Sequence, residues 1–256
     1  ETQSPNIQSK FIVQRVLELR EEGIELKDMA VLFRNAWHSD DLEIELGAAD
    51  IPFIKYGGVK FAEASHVKDL IAYLKINYNS SDSISWFRVL QLLEGIGEKT
   101  ASDIISRIPA DTGNFDFLKE IVCENTNMGK NDLYNYFSEN NYIDINEKQN
   151  VPAKGRIVYK KKYCIGLYKL YKMLNALQQK NLLPYDRLKI ISDYYNPIFK
   201  DRYDDYNKRE KDIESLFYIS QRYKRLGDFL SDFTIEPVKE SQIGASPENE
   251  DEDNLT

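Results

Sequence analysis

The sequence predicts a mainly α-helical fold with a small α/β part at its front. Three observations carry that expectation. Apolar residues recur at helical spacing through most of the 256 residues. Only two short apolar runs, residues 29–34 and 51–56, read as buried strands. From Ser83 onward one helical pattern follows another, with no convincing strand pair.

Taken in order, residues 8–22 form an amphipathic helix with Ile12, Val13, Val16, Leu17 and Leu19 inside and Gly23 as its stop. Residues 29–34 (MAVLFR) give the first strand. Ser39 then offers an N-cap, and Asp40 and Asp41 fall in the first turn, where carboxylates suit the helix dipole. That helix runs to about Ala49. Residues 51–56 (IPFIKY) give the second strand, broken by Gly57 and Gly58. Residues 66–77 are helical, with Val67, Leu70, Ile71 and Leu74 on one face. Further helices are expected at 83–93, 98–107, 115–124, 131–138, 160–179, 185–195, 208–224 and 226–233. Residues 125–150, rich in Asn, Asp and Glu, read as loose in places, and the acidic stretch 246–254 reads as a disordered linker.

Composition narrows the function classes. At 42% hydrophobic and 30% charged residues the balance is that of a soluble globular protein. Two cysteines, Cys123 and Cys164, exclude a disulfide framework and a cysteine-built zinc site. Two histidines, His38 and His66, leave little for a metal cluster, and no metal site is expected. No run approaches the roughly 20 apolar residues of a membrane helix. No signal peptide opens the chain, and a reducing cytoplasm is the simplest compartment. The first residue is Glu, so the chain reads as an excised piece of something longer.

The net charge of -8 argues against indiscriminate nucleic-acid binding, yet it is unevenly placed. Residues 236–256 hold seven acids and one lysine. Residues 151–183 hold eight bases and no acid, with Tyr159, Tyr163, Tyr168 and Tyr171 interleaved. Such a block suits either a phosphate backbone or a solvated helix face.

Three segments have the chemistry of a site. In VLFRNAWHSDDLEIEL (31–46) a strand ends in Phe33, a flat face for a base, and Arg34, a fixed cation for a phosphate. Carboxyl ends of strands in α/β sheets are where ligands gather. In LLEGIGEKTASDI (92–104) a helix end meets Gly95, Ile96 and Gly97, then a polar helix start with Lys99 and Thr100, the pattern of a helix-hairpin-helix. The glycines allow a tight turn and close approach, and free N–H groups at the helix start bind an anion without reading bases. In YGGVKFAEASHVKDLIAYL (56–74) two glycines permit an unusual turn, Phe61 plugs it, and Lys68 and Asp69 open a helix. Each also has a purely structural reading.

No GxxxxGK(S/T) phosphate loop, HExxH or recognisable Ser/His/Asp frame occurs in the sequence. The carboxylates are plentiful but read as unpaired in any apolar setting, so no complete catalytic apparatus is expected.

In order and spacing, the segments VLFRN, HSDDLEIEL, IPFIKYGGVKF, VKDLIAYLKINYN and EGIGEKTASDI together resemble the UvrD/Rep/PcrA-type superfamily 1 DNA helicases. The resemblance is dense over residues 29–104 and looser to about 233. The last four residues resemble the lead-in to that family's Thr-x-His-x-x-Lys-Gly motif. The resemblance implies that Phe33 stacks on adenine and that Arg34 reaches the ATP γ-phosphate. Phe33 replaces the frequent Tyr and keeps the stacking face. Ser39-Asp40 stands where the family usually has Ser-Arg, and His66 replaces the Glu of Glu-Ile-Lys-Asp. Gly95, Ile96 and Gly97 match the element that touches the duplex backbone, and Lys99 and Thr100 stand at the helix start beside it.

The same resemblance implies an architecture. Residues 1–78 are expected as part of a RecA-like second lobe of a P-loop NTPase (subdomain 2A). Residues 79–235 are expected as an all-helical accessory domain (2B), and 236–256 as an acidic linker back to 2A. The parent is implied to be an ATP-dependent helicase moving 3′ to 5′, using ATP and Mg²⁺ and binding single-strand/duplex junctions independently of sequence. The fragment itself is expected to be monomeric, to bind no cofactor tightly, and to be inactive. Two other functions fit the residues: a non-enzymatic helix-hairpin-helix DNA-binding module, and a helical protein-interaction scaffold.

Overall fold

The computed structural model describes residues 4–56, 59–109, 113–126 and 163–233. Among them the fold is mostly helical. The helices are α1 (Pro5–Glu21), α2 (Asp40–Ala48), α3 (Ser65–Tyr78), α4 (Ser83–Leu90), α5 (Glu98–Ile105), α6 (Asp116–Asn125), α7 (Cys164–Ala176), α8 (Pro184–Arg202), α9 (Tyr206–Ser220) and α10 (Leu226–Asp232). Short 3-10 turns lie at Leu26–Asp28, Ala36–His38 and Phe61–Glu63. The expected helix at 131–138, the Gly57-Gly58 break and the acidic stretch 246–254 lie outside the described residues.

Neither expected strand forms a ladder among the described residues. Residues 29–34 carry no regular structure, and residues 51–56 carry one isolated bridge, at Phe53. An apolar run records a demand for burial, but a strand also needs a neighbouring backbone to pair with. Leu32 is 92% exposed here, while Met29, Ile51 and Phe53 are buried.

The chain divides into two compact units, Glu1–Leu74 with Leu182–Thr256, and Lys75–Asn181. The expected boundary near residue 78 therefore shifts into α3. The segment from Leu182 belongs to the same unit as the first 74 residues.

In the first unit Val16, Leu26, Met29, Leu42, Leu46, Ile51 and Phe53 form a core, and Ile12, Val13, Leu17 and Leu19 pack against it. The amphipathic stripe of α1 thus faces this core, with Val16 buried and its neighbours partly buried. Ser4 caps α1 with Pro5 at its first position, and Gly23 ends it at φ +92, where a side chain would be strained. One carboxylate joins three parts of the unit. Glu45 on α2 accepts from Asn6 Nδ2 at 2.8 Å and from Arg222 Nη1, past the end of α9, at 2.5 Å. Helix α3 is anchored to α8 and α9: the buried Asp69 accepts from Tyr195 Oη at 2.6 Å, and His66 Nε2 lies 2.9 Å from Asp212. Burial and the Asp69 carboxylate push the Tyr195 hydroxyl far up from its ordinary range.

In the second unit α4 packs on α5, and α6 on α7. Trp86 is fully buried, donates from Nε1 to the Ser80 carbonyl at 2.8 Å, and meets Phe115 and Phe117 edge-on. Asp82 caps α4 by accepting from Ser85 N at 3.0 Å.

Candidate nucleotide pocket and nucleic-acid interface

Residues 30–36, helix α2 and residues 53–56 enclose a pocket of about 450 Å³. Its floor is apolar (Val31, Leu42, Leu46, Phe53) and its lining includes Phe33, Arg34, Lys55 and Tyr56. Phe33 is 38% exposed and lines this opening. Arg34 is exposed and forms no ion pair with any described residue. The two residues singled out by sequence therefore line the same opening.

The carboxylates of α2 depart from expectation. Asp40, Asp41 and Glu43 are all buried. Glu43 accepts from Ser39 Oγ at 2.7 Å, Lys55 Nζ at 2.6 Å and the Phe61 backbone N–H at 2.6 Å. It thus joins α2, the 51–56 segment and the 3-10 turn at Phe61–Glu63. Asp41 Oδ1 lies 3.0 Å from Arg222 Nη2, off the hydrogen-bond line. Asp40 is 3% exposed and its Oδ2 has no hydrogen-bond partner. Burial, with Asp212 and Glu43 nearby, pushes Asp40 up to about 8, against the pull of Ser215 and Lys55.

Sequence reasoning missed this network. Its trace is the DDLEIEL spacing, in which acids at 40, 41 and 43 cannot all share one solvent face with Glu45. The expected N-cap role of Ser39 also changes. Ser39 has helical dihedrals (φ -86°, ψ -16°) and makes no side-chain cap bond. Its hydroxyl instead contacts Ala36 O and Glu43 Oε1, each at 2.7 Å. His66 places its Nε2 2.9 Å from an Asp212 carboxylate oxygen and its Nδ1 3.4 Å from Arg209 Nη1.

The second candidate lies between α4 and α5. Gly95 sits at φ +84, a conformation side chains resist, and Ile96 is buried beneath the turn. Gly97 is the N-cap of α5 in extended backbone, with no side-chain cap bond at that end. Nothing lies within 4 Å of where a Gly97 Cβ would stand. Lys99 is exposed and Thr100 half-buried. The arrangement leaves a helix N-terminus with backbone donors open to an anion, and Glu98 at its first position opposes one.

Of the basic block, Lys154, Arg156, Lys160, Lys161 and Lys162 lie outside the described residues. Tyr163 and Tyr168 are buried, so these two rings are packing groups, while Lys169 and Lys172 face solvent on α7. Among the described residues no group of three or more His, Cys, Asp or Glu is placed to hold a metal ion, and no helix is long and apolar enough to cross a membrane.

Residues 1–247 match the UvrD-like helicase C-terminal domain, and the chain belongs to that family. The resemblance to UvrD/Rep/PcrA-type helicases holds at that level. Among curated proteins it is 37% identical over 107 residues to a probable DNA helicase II homolog of Mycoplasma capricolum, covering 41% of this chain. It is 35% identical over 94 residues to DNA helicase II of Haemophilus influenzae, covering 36% of this chain. It is 30% identical over 98 residues to the ATP-dependent DNA helicase PcrA of Staphylococcus aureus, covering 38% of this chain. The matched stretches span 14%, 13% and 13% of those relatives' own lengths.

Proposed function

We propose that the chain works as part of an ATP-dependent DNA helicase that moves 3′ to 5′ on single strands. In it, residues 1–78 supply one side of the ATP cleft as a 2A-type lobe. The helical remainder to about 235 supplies the DNA-facing accessory part, with 182–233 packed back on the first 74 residues, and 236–256 leads onward. Phe33 and Arg34 carry the assignment: a partly exposed aromatic ring, and a guanidinium with no ion pair among the described residues, line one pocket. Those two groups fit adenine and a terminal phosphate. The nucleotide with its Mg²⁺ supplies the energy of phosphoryl transfer when bound. Phe33 orients the base, and Arg34 holds charge on the terminal phosphate as it is transferred. The phosphate loop and metal ligands belong, in this scheme, to another lobe of the full-length protein.

The test is ATP turnover and unwinding of a 3′-tailed duplex by the full-length protein, beside the chain alone. The full-length protein is expected to hydrolyse ATP in a DNA-stimulated manner, and the isolated chain to show no turnover above background. Measurable hydrolysis by the pure chain would contradict the two-lobe scheme.

A DNA-binding module that needs no motor is a second reading, favoured by the uncapped start of α5. In both schemes the junction backbone meets Gly95, Ile96, Gly97, Lys99 and Thr100. Gly97→Glu adds a carboxylate there without a clash, since the Cβ position is open and φ is ordinary. It is expected to weaken forked-DNA binding about tenfold at low salt, with a smaller effect at high salt, and to leave the thermal midpoint unchanged. A gel shift across a salt series reads this directly, and unaltered binding would remove the interface. A helical protein-interaction scaffold predicts no salt-dependent shift at all.

A further inference from the structure

The guanidinium of Arg34 stands on backbone that has no ladder to hold it. Residues 32–35 are exposed and irregular. Met29 and Val31 hold the chain against the core before this stretch, and the turn that follows holds it on the other side. The 3-10 turn Ala36–His38 is closed by His38 N–H donating to Asn35 O at 3.1 Å and Ser39 N–H donating to Ala36 O at 2.9 Å. The Ser39 hydroxyl then ties this turn to Glu43, sitting 2.7 Å from both Ala36 O and Glu43 Oε1. Glu43 is itself locked by Lys55 Nζ and the Phe61 N–H, each at 2.6 Å. These are short bonds to a buried carboxylate, the kind that holds geometry most firmly.

From this chain of contacts we infer that Ser39 and Glu43 are positioning residues for Arg34. The locked carboxylate fixes the Ser39 hydroxyl, whose single proton is shared between Glu43 Oε1 and Ala36 O at the close of the 36–38 turn, and the turn sets where the guanidinium stands. The inference rests on the proposed role of Arg34 at the terminal phosphate. It assigns no contact with the nucleotide to Ser39 or Glu43.

The experiment is a double-mutant cycle on ATP turnover by the full-length protein, comparing Ser39→Ala, Arg34→Ala and the pair. Ser39→Ala is expected to lower kcat about tenfold, the cost of a small misplacement of a reacting group, with KM within about twofold. Ser39→Thr, which keeps the hydroxyl, is expected to restore most of the rate. In the Arg34→Ala background Ser39→Ala is expected to cost nothing further, because the group it positions is gone. A purely structural defect would multiply in both backgrounds, and that result overturns the inference. So does a wild-type rate for Ser39→Ala. If Ser39→Ala does not fold, Glu43→Gln is read in the same cycle, with the same pattern expected. An unchanged rate for Arg34→Ala alone overturns the role of Arg34 and the positioning together. Loss of rate there with a multiplicative Ser39 effect overturns the positioning alone.

Discussion

Arg34→Ala in the full-length protein is expected to cut ATP hydrolysis by roughly 10³-fold or more, the scale set by arginines that stabilise phosphoryl transfer. The fold is expected to survive the change. Arg34 is exposed and holds no ion pair among the described residues, so its removal opens no cavity and leaves no buried charge alone. Arg34→Lys keeps one positive charge but loses the planar fork, and is expected to recover only a small part of the rate. Phe33→Ala tests the other half of the pair. A ring that stacks on a base contributes to binding in the ground and transition states alike, so its loss is expected to raise KM for ATP more than it lowers kcat. Steady-state turnover against ATP concentration separates the two outcomes. Full turnover by Arg34→Ala would remove the assignment.

The second large effect is on stability. Asp40→Asn is expected to make the chain more stable, by an amount that grows with pH. Asp40 is buried, one oxygen has no hydrogen-bond partner, and Asp212 and Glu43 repel its charge, while Ser215 and Lys55 only partly offset this. Its folded pKa is raised to about 8 from 3.8. Between those values the folded chain holds a proton that the unfolded chain releases. The contribution of Asp40 is therefore greatest below the unfolded value, is lost as pH rises toward 8, and is flat above it. The asparagine amide does not titrate, so the variant's advantage widens by roughly 1 kcal/mol per pH unit across that window. Urea denaturation of both proteins from pH 5 to 9 measures it. A constant difference across the series would show that Asp40 is charged throughout.

The helices were legible because their signals are local. The stripe Val67, Leu70, Ile71, Leu74 is buried on α3 as spaced, and Gly23 ends α1 at positive φ. The strands were not, because pairing is decided by a neighbour that the residues themselves do not name: MAVLFR has the composition of a strand and no ladder here. Phe33 and Arg34 stand out from their place at the end of an apolar run, and both line one pocket. The Glu43 network left only the crowding of acids on α2 as a trace, since its links from 43 to 39, 55 and 61 run through contacts that no periodicity records. The fate of 182–233 was equally hidden. Nothing in that helical stretch announces that it packs with residues 1–74, a partnership that rests on pairs such as Tyr195–Asp69 and Arg222–Glu45.

Those pairs bear on how the chain matures. The first 74 residues are one part of a unit whose other part begins at Leu182. A ribosome adding about 5–20 residues per second needs on the order of ten seconds to cross the intervening hundred or so. During that interval Asp69, His66, Asp41 and Glu45 have been made but lack the tyrosine, aspartate and arginine partners that later cover them. Until Leu182 and the residues after it are made, these side chains of the nascent front part stay without the partners that complete the unit.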